Sequence, residues 1–116
     1  MELRHDLRLR IQCPVTYSKS NADKPAAAKG TVVNLSTGGW QVAGTDAMPR
    51  GAPLLLSIEL PDGQDPLEVQ LATVRWTAGT TFGVKNMILG EEEWKRLRRF
   101  VVDQASKADF SPYPKR

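Results

Sequence analysis

The apolar residues of this 116-residue chain recur mostly with a period of two, in short runs broken by glycine, proline and asparagine, and that pattern restricts it to a sheet-based fold. Ile11, Cys13, Val15 and Tyr17 share one face of a half-buried strand; Pro14, which has no N–H to give a ladder, places it near an edge or a bulge. Thr31 to Leu35 reads as a second strand, Ser36 to Gly39 as a turn, and Trp40 to Ala43 as the strand that returns from it. Pro49-Arg50-Gly51 turns the chain into a strand over Leu54 to Leu60, which Pro61-Asp62-Gly63 ends. Leu67, Val69 and Leu71 alternate until Val74 and Trp76 take over in the opposite phase, so a bulge is expected near Ala72-Thr73. Thr80 to Val84 reads as the last strand.

Outside these runs the period disappears or changes. Residues 1–10 are charged and without alternation, and read as a basic arm leading into the first strand. Ser18 to Lys29 reads as an exposed connection. Beyond Gly90 the spacing becomes helical: Trp94, Leu97, Val101 and Gln104 fall on one face with Phe100 beside it, and the spacing predicts a helix over about 91–105. Glu91-Glu92-Glu93 stands in its first turn, where the helix dipole favours carboxylates, and Lys95, Arg96, Arg98 and Arg99 follow. Residues 109–116 read as a flexible tail. About six strands and one terminal helix in so short a chain favour an all-β fold, an antiparallel barrel whose closure removes exposed edges, with the helix capping an end or docking on a side. One domain over residues 11–108 is expected, since the chain is too short for two independent cores.

Composition narrows the function classes. The hydrophobic fraction of 41% and charged fraction of 25% are those of an ordinary soluble domain. A net charge of +3 favours an anionic partner but not a long polyanion, which argues against a nucleic-acid-binding barrel. Cys13 is alone and reads as a small buried side chain; with no apolar leader and no apolar run near 20 residues, the expected setting is cytoplasmic, without membrane insertion. His5 is the one histidine, and no metal-ligand cluster, nucleophile triad or phosphate loop of the Gly-x-x-x-x-Gly-Lys type occurs. The expectation is a binding module with no catalytic residues, no metal and no cofactor.

Two polar groupings carry the chemistry. Arg4 and Arg8 offer guanidinium forks that can grip phosphates or the acceptor edge of guanine. Asn34-Leu35-Ser36-Thr37-Gly38-Gly39 offers amide, hydroxyl and backbone N–H groups on a turn whose glycines admit a ligand close to the chain. Each grouping has a plainer reading. Arg4, Arg8 and Arg10 would also make a solvated basic terminus, and Asn34 to Gly39 an ordinary hairpin whose glycines supply positive φ.

In their order, roughly 25 residues apart, these groupings resemble the PilZ domain: Arg4-His5-Asp6-Leu7-Arg8 for its Arg-x-x-x-Arg motif and Asn34 to Gly39 for its Asp/Asn-x-Ser-x-x-Gly motif. Val74-Arg75-Trp76 and Phe82-Gly83-Val84 before the terminal helix extend the likeness over nearly the whole chain. The resemblance implies a six-stranded antiparallel split barrel with a C-terminal helix, and a receptor for the bacterial second messenger cyclic di-GMP. The implied ligand-binding residues are Arg4, Arg8, Asn34, Ser36, Gly38, Gly39 and Trp76. Trp76 is open between a base-stacking surface and a core aromatic. Trp40 reads as core. Asn86 stands where relatives often have an aromatic, which bears on how the helix start packs rather than on the site. On this reading the arm orders over the ligand and alters the surface shown to a downstream protein partner. The alternative is a ligand-independent adaptor that binds its partner through the exposed helix side at Arg96 and Arg99.

Overall fold

The computed structural model describes residues 9–20 and 27–107. The strands are β1 (Leu9–Lys19), β2 (Ala28–Leu35), β3 (Gly39–Ala43), β4 (Pro53–Ile58), β5 (Leu67–Ala78) and β6 (Thr81–Ile88), followed by the helix α1 (Glu91–Lys107). All neighbours are antiparallel, and the order β1-β2-β3-β6-β5-β4 closes on itself where β4 pairs with β1. The alternating apolar residues point inward. Cys13, Val15 and Tyr17 of β1, Val32 and Leu35 of β2, Trp40 and Val42 of β3, and Phe82 and Val84 of β6 are all buried in one continuous core. Tyr17 meets Phe82 edge-on, with ring centroids 5.3 Å apart. Burial pushes the Cys13 thiol up to about 11, which keeps it protonated and unreactive at neutral pH.

The expected strands are present but longer. β1 begins at Leu9, so the arm gives up Leu9 and Arg10 to the barrel; Arg4, His5 and Arg8 lie outside the described residues, as does the tail at 109–116. Ser18, Lys19, Ala28 and Lys29, expected in a loop, extend β1 and β2 through backbone pairing: Ala28 and Lys29 pair with Tyr17 and Thr16, and Ser18 and Lys19 pair with Leu55 and Leu54 of β4. β6 runs on to Ile88 through its pairing with β5, and α1 runs two residues beyond the expected end, to Lys107. β4 instead stops at Ile58, although Leu60 remains buried. Pro14 sits where its missing N–H does no harm. Its carbonyl accepts from Glu59 N–H at 2.9 Å, one residue beyond the last β1–β4 pair, Val15–Ile58, and the β1–β2 register shifts between Arg10 and Cys13.

Leu97, Phe100 and Val101 bury the inner face of α1, which packs against β1 and β5. A two-toothed ion pair fixes its first turns. Arg96 Nη2 and Nε donate to Asp62 Oδ1 and Oδ2 at 2.9 and 3.1 Å, tying the helix to the β4–β5 turn. Arg96 is therefore engaged within the fold and is not a free group on an interaction face. The Arg96 hydrogen bond lowers the Asp62 carboxyl below the usual aspartate range, against the opposing effect of burial and with help from the Gln64 N–H.

A carboxylate with a depressed folded-state pKa contributes stability above its unfolded pKa and loses that contribution as pH falls through the folded value. Arg96→Met should cost about 1–2 kcal/mol at neutral pH. The gap from the native protein, measured by urea unfolding at a series of pH values, should shrink as pH drops below the ordinary aspartate range. A gap independent of pH would show that the pair adds nothing through charge.

Candidate functional site

The Ser36–Gly39 turn between β2 and β3 is held by its own groups. Ser36 N–H and Oγ donate to the Gly39 carbonyl at 3.1 and 2.9 Å, and Gly39 N–H donates back to Ser36 Oγ at 3.2 Å. Ser36 is only 8% exposed, so its hydroxyl serves first to close the turn. The glycine pair does not supply positive φ, contrary to the plain hairpin reading; the left-handed glycines among the described residues are Gly51, Gly63 and Gly79. Gly39 is needed for another reason: a Cβ there would collide with the Val84 carbonyl of β6. Gly38 faces open space.

From this turn a cleft of about 260 Å³ runs across the outer face of β3, β6 and β5, lined by Asn34, Gln41, Arg75, Trp76, Gly83 and Lys85 together with the turn residues. Two irregularities interrupt β5. One lies between Leu71 and Ala72, where the apolar phase change predicts it; the second, between Val74 and Trp76, leaves no apolar mark in the sequence. Val74 stays inside, and both Arg75 and Trp76 emerge on the outer side. A β-bulge re-aims side chains in this way. Trp76, 43% exposed, is thus not a core aromatic, whereas Trp40 is buried as expected. Gly83, the cross-strand partner of Trp76, makes room for it, since a Cβ at 83 would collide with the indole Nε1.

The charges of the cleft lining are all positive. Arg75 and Lys85 border it, Asn34, Ser36 and Gln41 add neutral polar groups, and no carboxylate is present among the described residues. A second, wider hollow, lined by Arg10, Ile11, Gln12, Val33, Asn34 and Gln41, adjoins the first across Asn34 and Gln41. The register sets Leu9 against Leu35 and Arg10 against Asn34, so β1 starts beside the turn. Among the described residues no group of three His, Cys, Asp or Glu side chains could hold a metal ion, and no helix is long and apolar enough to cross a membrane.

The chain matches the PilZ domain family over residues 2–103. It belongs to that family. Solved PilZ structures share its fold. The PilZ domain of CeSA from a cellulose-synthesizing bacterium is 19% identical with a TM-score of 0.64, covering 83% of this chain and 95% of that one. The PilZ domain of Escherichia coli YcgR, solved with cyclic di-GMP, is 16% identical with a TM-score of 0.61, covering 93% and 98%. The Bacillus subtilis inhibitor of motility MotI/DgrA is 16% identical with a TM-score of 0.73; 92% of this chain spans about half of it, 53%. No curated protein matches in sequence.

In this PilZ barrel the expected site residues Asn34, Ser36, Gly38, Gly39 and Trp76 all meet in the one cleft; Arg4 and Arg8 lie outside the described residues. Sequence reasoning missed Gln41, Arg75, Gly83 and Lys85, and it misjudged Asn86. Rather than bearing on the helix start, Asn86 braces the turn from β6. Its N–H donates to the Gly38 carbonyl at 3.0 Å, and its side-chain amide points at the Thr37 carbonyl at 3.5 Å. With Gly39 O taken by Ser36, the carbonyls of Thr37, Gly38 and Gly39 are all occupied by the protein.

Asn86→Ala keeps the backbone bond and removes the side-chain brace. Hydrogen exchange of the Asn86 and Gly39 amides should then accelerate roughly threefold to tenfold with the rest of the barrel unchanged. Gly83→Ala should shift the Trp76 indole N–H resonance, assigned by its loss in Trp76→Phe, and leave that of Trp94 in place. An unmoved Trp76 signal would mean that the indole does not lie over Gly83.

Proposed function

We propose that this PilZ protein is a non-catalytic receptor that binds cyclic di-GMP in the cleft beside the Ser36–Gly39 turn. The observation that carries the reading is the convergence on one surface of Asn34, Ser36, Gly38 and Gly39, an exposed indole and two cations, with no carboxylate among the described lining residues. A doubly anionic ligand with two flat bases asks for those features. Positive charge meets the phosphodiesters, an aromatic face meets a guanine at about 1–3 kcal/mol per stacked base, and a glycine edge admits the ligand to the backbone.

Arg4 and Arg8 complete the site in this reading. β1 starts opposite Leu35, beside the turn, and Arg8 is the residue that precedes it in the sequence. Arg4 would be about 13 Å from Arg8 in an extended arm and reaches the same ligand when the arm bends. Contacts that exist only in the bound state bias the arm toward that bent form, and the reshaped surface carries the signal to a protein partner. The same reading makes the chain a bacterial, cytoplasmic signalling module with cyclic di-GMP as its ligand and no cofactor.

Calorimetric titration tests it. The native chain should bind cyclic di-GMP with micromolar or tighter affinity, and Arg8→Ala should weaken binding by about tenfold or more through loss of a charge-assisted contact. Absence of binding heat at high micromolar ligand, or an unchanged affinity in Arg8→Ala, would overturn the reading.

A further inference from the structure

Arg75 belongs to neither motif of the family match, yet the second bulge of β5 sets it next to Trp76 at the cleft. The chemistry of the lining gives it a specific task. Guanine can be read at its Watson–Crick edge, where N1–H and N2–H₂ are donors that suit a carboxylate, but the described lining residues hold none and Asn34 offers a single amide oxygen. Guanine's other edge shows two acceptors, N7 and O6, whereas adenine shows an acceptor and a donor, N7 and N6–H₂. A guanidinium fork satisfies the first pair and meets a donor head-on in the second.

Among the described lining residues Arg75 is the one that carries such a fork, and the bulge sets it beside the Trp76 indole. Lys85 sits elsewhere on the same face. Its Cα partners are Gly39 of β3 and Thr73 of β5, so its ammonium rises beside the turn, a compact charge suited to phosphate and without two-pronged geometry.

We propose that Arg75 makes the cleft select guanine over adenine by donating to O6 and N7 of the base stacked on Trp76, while Lys85 supplies charge to a phosphate without regard to base. The proposal rests on the cyclic dinucleotide reading above and adds to it a division of labour between two cations that the sequence does not distinguish.

Titration of the full chain with cyclic di-GMP and with cyclic di-AMP separates the two roles. The native protein should prefer the guanine dinucleotide. Arg75→Lys, which keeps the charge and loses the fork, should weaken cyclic di-GMP binding while leaving cyclic di-AMP within about twofold, so that the preference falls by between about fivefold and a hundredfold. Lys85→Gln should weaken both dinucleotides alike, preserve their ratio and flatten the dependence of affinity on salt. A preference retained in Arg75→Lys, or one that collapses in Lys85→Gln, would overturn the assignment while leaving the receptor reading intact. Failure of the native chain to bind either dinucleotide would overturn both.

Discussion

Closure of the sheet, β4 onto β1, is the constraint from which the rest of this structure follows. Once the ring is closed, every strand has a fixed inside and outside, and the inside must be filled by apolar side chains to native density. The outer rungs then become a lattice with set neighbours: Gln41 beside Gly83 beside Trp76, and Gly39 beside Lys85 beside Thr73. The cleft is a stretch of that lattice where small residues leave space and long ones stand around it. Its shape is decided by register, because no loop of its own builds the floor.

How far this was legible in the sequence depends on what kind of signal each feature leaves. Ile11 to Tyr17 betrays itself through alternation, Thr31 to Leu35 through a short run of β-branched residues closed by a turn, and the helix through the spacing of Trp94, Leu97 and Val101. The strand ends at Ser18, Lys19, Ala28 and Lys29 do not, because backbone pairing needs no apolar side chain. The phase slip at Ala72 is visible because buried residues flank it. The slip at Arg75 is silent because the two residues it turns outward are both exposed and nothing apolar marks the change. Trp76 could therefore be left open between core and surface by sequence alone; the slip at Arg75, which turns Trp76 away from the inner side that Val74 keeps, decides it.

The functional residues divide along the same line. Asn34, Ser36, Gly38 and Gly39 are neighbours in sequence, so their spacing alone brings them together, and the turn that results is legible in outline. Arg75, Lys85 and Asn86 come from later strands and look like ordinary surface polar residues until the ladder places them against β3 and its turn. Even within the motif the roles are not those that residue type suggests. Ser36, the obvious hydroxyl, is turned inward to lock the bend, and Gly39 is required by the Val84 carbonyl behind it as much as by anything in front.

The indole seated on Gly83 has an implication for how such a barrel can drift. The ring occupies the very volume that a methyl group would claim on the opposite strand, so the two positions share a single parcel of space. A large aromatic can lie in this place only across from the smallest residue, and once the aromatic is lost the constraint on bulk at 83 lifts with it. Change at either site thus alters what its neighbour is permitted to become, and the pair should wander through sequence space as a coupled unit rather than as two independent letters.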